Sequence, residues 1–124
     1  MPKILVMDDD PSVRELCAII LAGEGYSVVE APDALTGIRA AQLEKPDLIL
    51  LDWMMPHIDG LDALRRLKAH SETAAIPVVM LTALDGLADV GLATMGGAES
   101  YVTKPFEPAQ LASLVRRYLD HSAA

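Results

Sequence analysis

Five short apolar runs, separated by segments whose apolar residues recur every three or four positions, confine this chain to a narrow set of folds. The runs are Ile4 to Met7, Tyr26 to Val29, Leu48 to Leu51, Val78 to Leu81 and the weaker pair Tyr101 and Val102. A short apolar run without polar alternation reads as a strand buried on both faces. Val13, Leu16, Cys17, Ile20 and Leu21 form a helical stripe, as do Leu61, Leu64 and Leu67, and later Leu111, Leu114, Val115, Tyr118 and Leu119. Strand and helix alternate five times, so the expected class is α/β, with an open five-stranded parallel sheet and right-handed crossover helices on both faces.

Local punctuation agrees with this pattern. Asp10 followed by Pro11 predicts an N-cap and first helical residue, Gly23 and Gly25 end that helix, and Lys45-Pro46 closes the next one. No linker, repeat or low-complexity tract breaks the chain, so residues 1–124 are expected to form one domain. The single cysteine, Cys17, lies on a helical stripe and reads as a small buried hydrophobe rather than a reactive thiol. With no disulfide to form, no signal-peptide pattern and no apolar run long enough to span a bilayer, the expected compartment is the cytoplasm, with no membrane partner. A formal charge of −8 and the lack of a basic stripe predict no direct nucleic-acid partner.

In a parallel sheet of this kind, functional groups gather beyond the carboxyl ends of the strands. The residues there are Asp8 and Asp9 after the first strand, Asp52 after the third, Thr82 after the fourth and Lys104 after the fifth. Carboxylates brought this close repel by roughly 3 kcal/mol per pair at an effective dielectric near 20, so they need a counter-charge. Mg²⁺ accepts hard oxygen ligands and suits the set, and Lys104 adds a second positive charge. A carboxylate beside a cation, an ammonium and a hydroxyl can act as a nucleophile towards phosphorus. Asp52 is the preferred nucleophile because it ends the middle strand, while Asp8 and Asp9 are better placed as metal ligands.

Singly, these residues have plainer explanations. Thr82 alone is a satisfied surface hydroxyl, Tyr101 packs or switches, Trp53 and Met55 shape the loop after Asp52, and His57 is an exposed loop residue rather than a ligand. It is the combination that points to chemistry.

At these residues the chain resembles the receiver domains of bacterial two-component response regulators, including the stand-alone regulators of chemotaxis. The motifs are ILVMDDDPSVREL at 4–16, PDLILLDWMMPHIDGLDAL at 46–64, IPVVMLTAL at 76–84 and GGAESYVTKPF at 96–106, with 30 residues from Asp52 to Thr82 and 22 from Thr82 to Lys104. The resemblance implies a flavodoxin-like (βα)5 fold with strand order 2-1-3-4-5. It implies a phosphorylation-activated switch in which Asp52 accepts a phosphoryl group from the phosphohistidine of a sensor histidine kinase or phosphotransfer protein. Asp9, Asp52 and the backbone carbonyl of Met54 would ligate Mg²⁺, with Asp8 holding a coordinated water. Thr82 would move onto the phosphoryl group, Tyr101 would change rotamer and Lys104 would complete the site. The Lys104-Pro105 peptide is usually cis in this family. Beyond its own phosphorylation and dephosphorylation, no enzymatic turnover is implied. An unknown downstream protein would be met by the face of the fourth helix, fifth strand and fifth helix.

Two alternatives compete. LVMDDDPSV is also similar to the start of haloacid-dehalogenase-type phosphatases, whose nucleophile would be Asp8, and a receiver-like scaffold would bind partners without phosphorylation. The chain has the length of a stand-alone regulator, although a piece of a larger protein would read the same.

This sequence departs from the family pattern in two places. The helix expected between the fourth and fifth strands carries Gly86 and Gly91 and no Lys or Arg, so the segment from Leu84 to Gly97 is expected to be the least stable and to move on phosphorylation. The basic groups of a charged dimer face are missing from it, leaving Arg116 and Arg117 on the last helix. The positions that commonly tune phosphoryl lifetime hold Met54 and Leu84, neither able to orient an attacking water. Self-dephosphorylation is therefore expected to be slow. Replacing Met54 with Asn should shorten the lifetime of the phosphorylated form, and an unchanged decay would count against this reading.

Overall fold

The computed structural model describes residues 1–55, 57–82 and 97–119. Its strands are β1 (Lys3–Met7), β2 (Ser27–Ala31), β3 (Leu48–Asp52), β4 (Val78–Thr82) and β5 (Ser100–Thr103), and its described helices are α1 (Pro11–Gly23), α2 (Ala34–Glu44), α3 (Gly60–Ala69) and α4 (Pro108–Leu119). All neighbouring strands are parallel, in the order β2-β1-β3-β4-β5. This is the doubly wound arrangement expected from the alternation of strand and helix. Residues 83–96, which hold nearly all of the expected weak helix, lie outside the described residues.

The inner strands β1, β3 and β4 are apolar on both sides because both sides are covered. Leu5, Met7, Ile49, Leu51, Val78 and Met80 point to one layer, where Ile38 and Ala41 of α2 and Leu64 and Leu67 of α3 meet them. The alternate residues Ile4, Val6, Leu48, Leu50, Val79 and Leu81 point to the other, against Cys17 and Leu21 of α1 and Leu111 and Val115 of α4. Central β3 and β4 are buried along their whole length. Ends of the helices follow the sequence. Asp10 caps α1 by accepting from the Ser12 N–H, with Pro11 in the first turn, and Lys45 adopts a left-handed conformation at the end of α2. Leu16 differs from expectation: it is 42% exposed. Cys17 and Leu21, four apart, define the buried face of α1, and Leu16 lies one residue, about 100°, off that line.

The connection from β3 to α3 is held tightly. The Trp53 N–H donates to the Leu81 carbonyl at 2.8 Å, and the Gly60 N–H donates to the Trp53 carbonyl at 2.9 Å. A Cβ on Gly60 would lie 2.3 Å from the Asp52 carbonyl oxygen and 2.7 Å from the Trp53 Cα. Both are backbone atoms that cannot swing aside, so only glycine lets α3 begin this close to the end of β3. Gly60→Ala should cost about 1–3 kcal/mol in urea unfolding, and a midpoint equal to wild type would show that the loop gives way freely.

Candidate functional site

The acidic site is built at the carboxyl ends of β1, β3 and β5. Asp8 follows β1 directly and is fully buried; Asp52 is the last residue of β3 and 4% exposed. Asp9 is exposed, and one carboxylate oxygen from each of Asp8, Asp9 and Asp52 lies within 4.8 Å of the others. Lys104 follows β5, and its Nζ donates to Asp8 Oδ2 at 2.7 Å and to Asp52 Oδ1 at 3.0 Å. The Lys104-Pro105 peptide is cis. Thr82 closes β4 and is buried, and its carbonyl accepts from the Lys104 N–H at 2.7 Å.

Local backbone fixes the acids. The Asp8 N–H donates to the Ala31 carbonyl at 3.1 Å, Asp8 Oδ1 accepts from the Asp10 N–H at 2.9 Å, and Asp52 Oδ1 accepts from the Met54 N–H at 3.3 Å. Burial raises the Asp52 carboxyl from its ordinary 3.8 to about 6, with the Asp8 charge adding to the rise and the Lys104 ammonium opposing it. Burial works against the Lys104 charge as well, but the hydrogen bonds it donates to Asp8 and Asp52 outweigh it and leave the ammonium held above its usual range.

These hard oxygen donors, with Asp9 open to water, fit a small divalent cation that keeps part of its hydration shell. Asp8, Asp9, Asp52, Thr82 and Lys104 thus stand together, as the strand-end rule required. Met54 has an exposed side chain and reaches the site through its backbone. Tyr101 sits on β5, 44% exposed, so simple burial does not explain it. Cys17 is buried, with its thiol pushed up to about 12 by burial and the Asp8 charge, as befits an inert core residue. Arg116 pairs with Glu24 at the end of α1. Sequence reading missed Arg14, which donates to the Asp8 carbonyl at 2.7 Å. It also missed the direct Lys104 contact to Asp8. Arg14 was visible in DDDPSVREL, one turn beyond the acids, but nothing in the spacing showed where its side chain turns.

A family model described as the response regulator receiver domain matches residues 4–116. The DNA-binding response regulator MtrA of Mycolicibacterium smegmatis is 44% identical over 117 residues, which cover 94% of this chain and 50% of that protein. The chemotaxis protein CheY4 of Vibrio cholerae superimposes with a TM-score of 0.92 at 29% identity, covering 96% of this chain and 99% of that one. The receiver domain of the sensor histidine kinase PA1611 from Pseudomonas aeruginosa, with a magnesium ion coordinated in its active-site cleft, gives a TM-score of 0.88 at 28% identity, covering 96% of this chain and 98% of that one. Nothing among these likenesses supports a haloacid-dehalogenase-type phosphatase.

One expectation is overturned. The acidic balance predicted no direct nucleic-acid partner, but this chain spans about half the length of the curated relatives it matches, and MtrA among them is named a DNA-binding protein. Net charge describes only the residues counted, so it cannot decide what the rest of such a regulator touches. Among the described residues, no helix is long and apolar enough to cross a membrane.

The raised Asp52 carboxyl has a consequence for stability. Between 3.8 and about 6 the unfolded chain gives up the Asp52 proton while the folded chain keeps it, so this residue's contribution falls as pH rises through that window. Above it, the metal-free fold carries a buried charge. Asp52→Asn should therefore stabilise the metal-free chain by about 1–2 kcal/mol at pH 7, with the gain shrinking below pH 4. Urea titrations in chelator would show the opposite trend if Lys104 already compensated the charge in full.

Proposed function

Because the chain belongs to the response regulator receiver domain family of two-component systems, we propose that Asp52 is its phospho-acceptor and that the surrounding residues divide the work of one transfer. The observation that carries this is the Lys104 ammonium lying between Asp8 and Asp52, with Asp9 beside them at the same sheet edge. An Asp52 carboxylate oxygen forms a bond to phosphorus as the P–N bond of a phosphohistidine breaks and its electron pair returns to the imidazole nitrogen. Lys104 is already aimed at Asp52 and can follow the charge onto the phosphoryl oxygens. Thr82, at the end of the neighbouring strand, donates its hydroxyl to one of those oxygens, and Tyr101 on β5 responds to its movement.

Asp9, Asp52 and the Met54 carbonyl would hold Mg²⁺ directly, with Asp8 holding it through water. Bound there, the ion supplies positive charge against the phosphoryl oxygens. Residues 1–124 act as one receiver unit whose chemistry is confined to its own Asp52. Its place is the cytoplasm, in keeping with a free, buried Cys17. By likeness to MtrA, the switch is proposed to govern a DNA-binding regulator.

Acetyl phosphate with Mg²⁺ should add the mass of one phosphoryl group to the intact chain. Asp52→Asn should abolish the gain, and Asp9→Asn should demand more Mg²⁺. No gain in the wild type, or a gain that survives Asp52→Asn and follows Asp8 instead, would overturn the assignment.

A further inference from the structure

We propose that Arg14 is a positioning residue for the acidic site, holding the Asp8–Asp9 turn in the geometry that receives the divalent cation. The inference rests on the function proposed above and extends it to a residue outside the acidic cluster.

Asp8 is the first residue past the end of β1, beyond the last paired carbonyl of the ladder. It is fully buried, so each of its polar groups needs a partner. The N–H is taken by the Ala31 carbonyl, Oδ1 by the Asp10 N–H and Oδ2 by Lys104. The carbonyl is taken by Arg14, whose Nη1 donates to it at 2.7 Å. The Arg14 Nε lies 3.4 Å from Glu30 Oε1 on β2, and the Arg14 side chain is 17% exposed. The guanidinium is therefore a strut from α1 to the peptide that joins Asp8 to Asp9, braced from β2. Rotating that peptide would move both carboxylates. A planar fork with several donors can serve the carbonyl and Glu30 at once, whereas a lysine ammonium at the end of a flexible stem lacks that fixed geometry.

Charge and positioning predict opposite signs. Removing a cation bound at the Asp8 carbonyl would by Coulomb's law alone tighten the binding of a dication nearby. Loosening the Asp8–Asp9 peptide would weaken it, and loss of an outer-sphere partner of a metal site commonly costs tenfold or more.

The test uses the whole chain as wild type, Arg14→Ala and Arg14→Lys, titrated with MgCl₂. The chain's single tryptophan, Trp53, adjoins Asp52 and serves as the fluorescent reporter. Both variants should bind Mg²⁺ about tenfold more weakly, Arg14→Lys included although it keeps the charge. In metal-free protein, the Asp10 amide should exchange faster in Arg14→Lys than in wild type, relative to the amides of β3. Equal protection at Asp10, or Mg²⁺ affinity equal to or tighter than wild type in the folded lysine variant, overturns the proposal. A wild-type chain that does not respond to Mg²⁺ counts against the function proposed above, and Asp10 exchange in the metal-free proteins then decides the role of Arg14.

Discussion

The contact on which the site depends is the ammonium of Lys104 between two buried carboxylates, 2.7 Å from Asp8 and 3.0 Å from Asp52. Neither side of it is tolerable alone. Two carboxylates buried together repel each other strongly at protein dielectric, and a half-buried ammonium without anions would be pushed towards its neutral form. Together they are satisfied, and they come from positions 96 and 52 residues apart. The strand order makes the meeting possible. Asp8 and Asp52 end adjacent strands β1 and β3, while Lys104 follows β5 and reaches across the ends of β4 and β3. Thr82, at the end of the intervening strand, lies beside that path.

One lysine does not complete the balance. Asp8, Asp9 and Asp52 bring three negative charges and Lys104 one positive, which leaves a formal −2 at one sheet edge. That is the charge of one divalent cation, and the donors are all hard oxygens. The raised Asp52 carboxyl expresses the same deficit in protonation: without further positive charge, burial and Asp8 favour a proton on Asp52. Binding of a cation and protonation of Asp52 are thus opposed. A cation at the cluster would keep Asp52 ionised, and the proposed transfer would move negative charge outward to where Lys104 and Thr82 can meet it.

Most of this arrangement is legible in the sequence. Buried parallel strands announce themselves as apolar runs, and the rule that function sits at their carboxyl ends named Asp8, Asp9, Asp52, Thr82 and Lys104 together. Periodicity was less reliable at the rim of a helix. Leu16 fits the apolar stripe of α1 by spacing, yet a one-residue offset turns it to solvent. Contacts made by long flexible side chains were not legible at all. Arg14 could have faced water or the site from the same position in α1, and only the fold shows that an otherwise unpaired carbonyl at Asp8 draws it in. Gly60 was hidden for a related reason, since the close approach it permits is to backbone atoms of β3 rather than to any side chain the sequence advertises. The reading of partners from net charge failed differently, because electrostatics counted over one segment says nothing about residues outside it.

The residues that sequence reading found and those it missed hold the site in different ways. Asp52, Asp8 and Thr82 are fixed by strands buried on both faces, and their positions follow from hydrophobic packing that does not depend on the charge of the site. Gly60, Arg14 and the Met54 N–H act above that floor, on the loops, where they set peptide orientation rather than strand position. A switch needs both. If the acids were carried by packing alone, their carbonyls and loop peptides would be free to reorient with each change of charge, and binding a cation would have to order them first. Because the loops are pinned by hydrogen bonds to the ends of β3 and β1, the ordering is already done, and the free energy of adding a phosphoryl group is left to act on the residues that can still move.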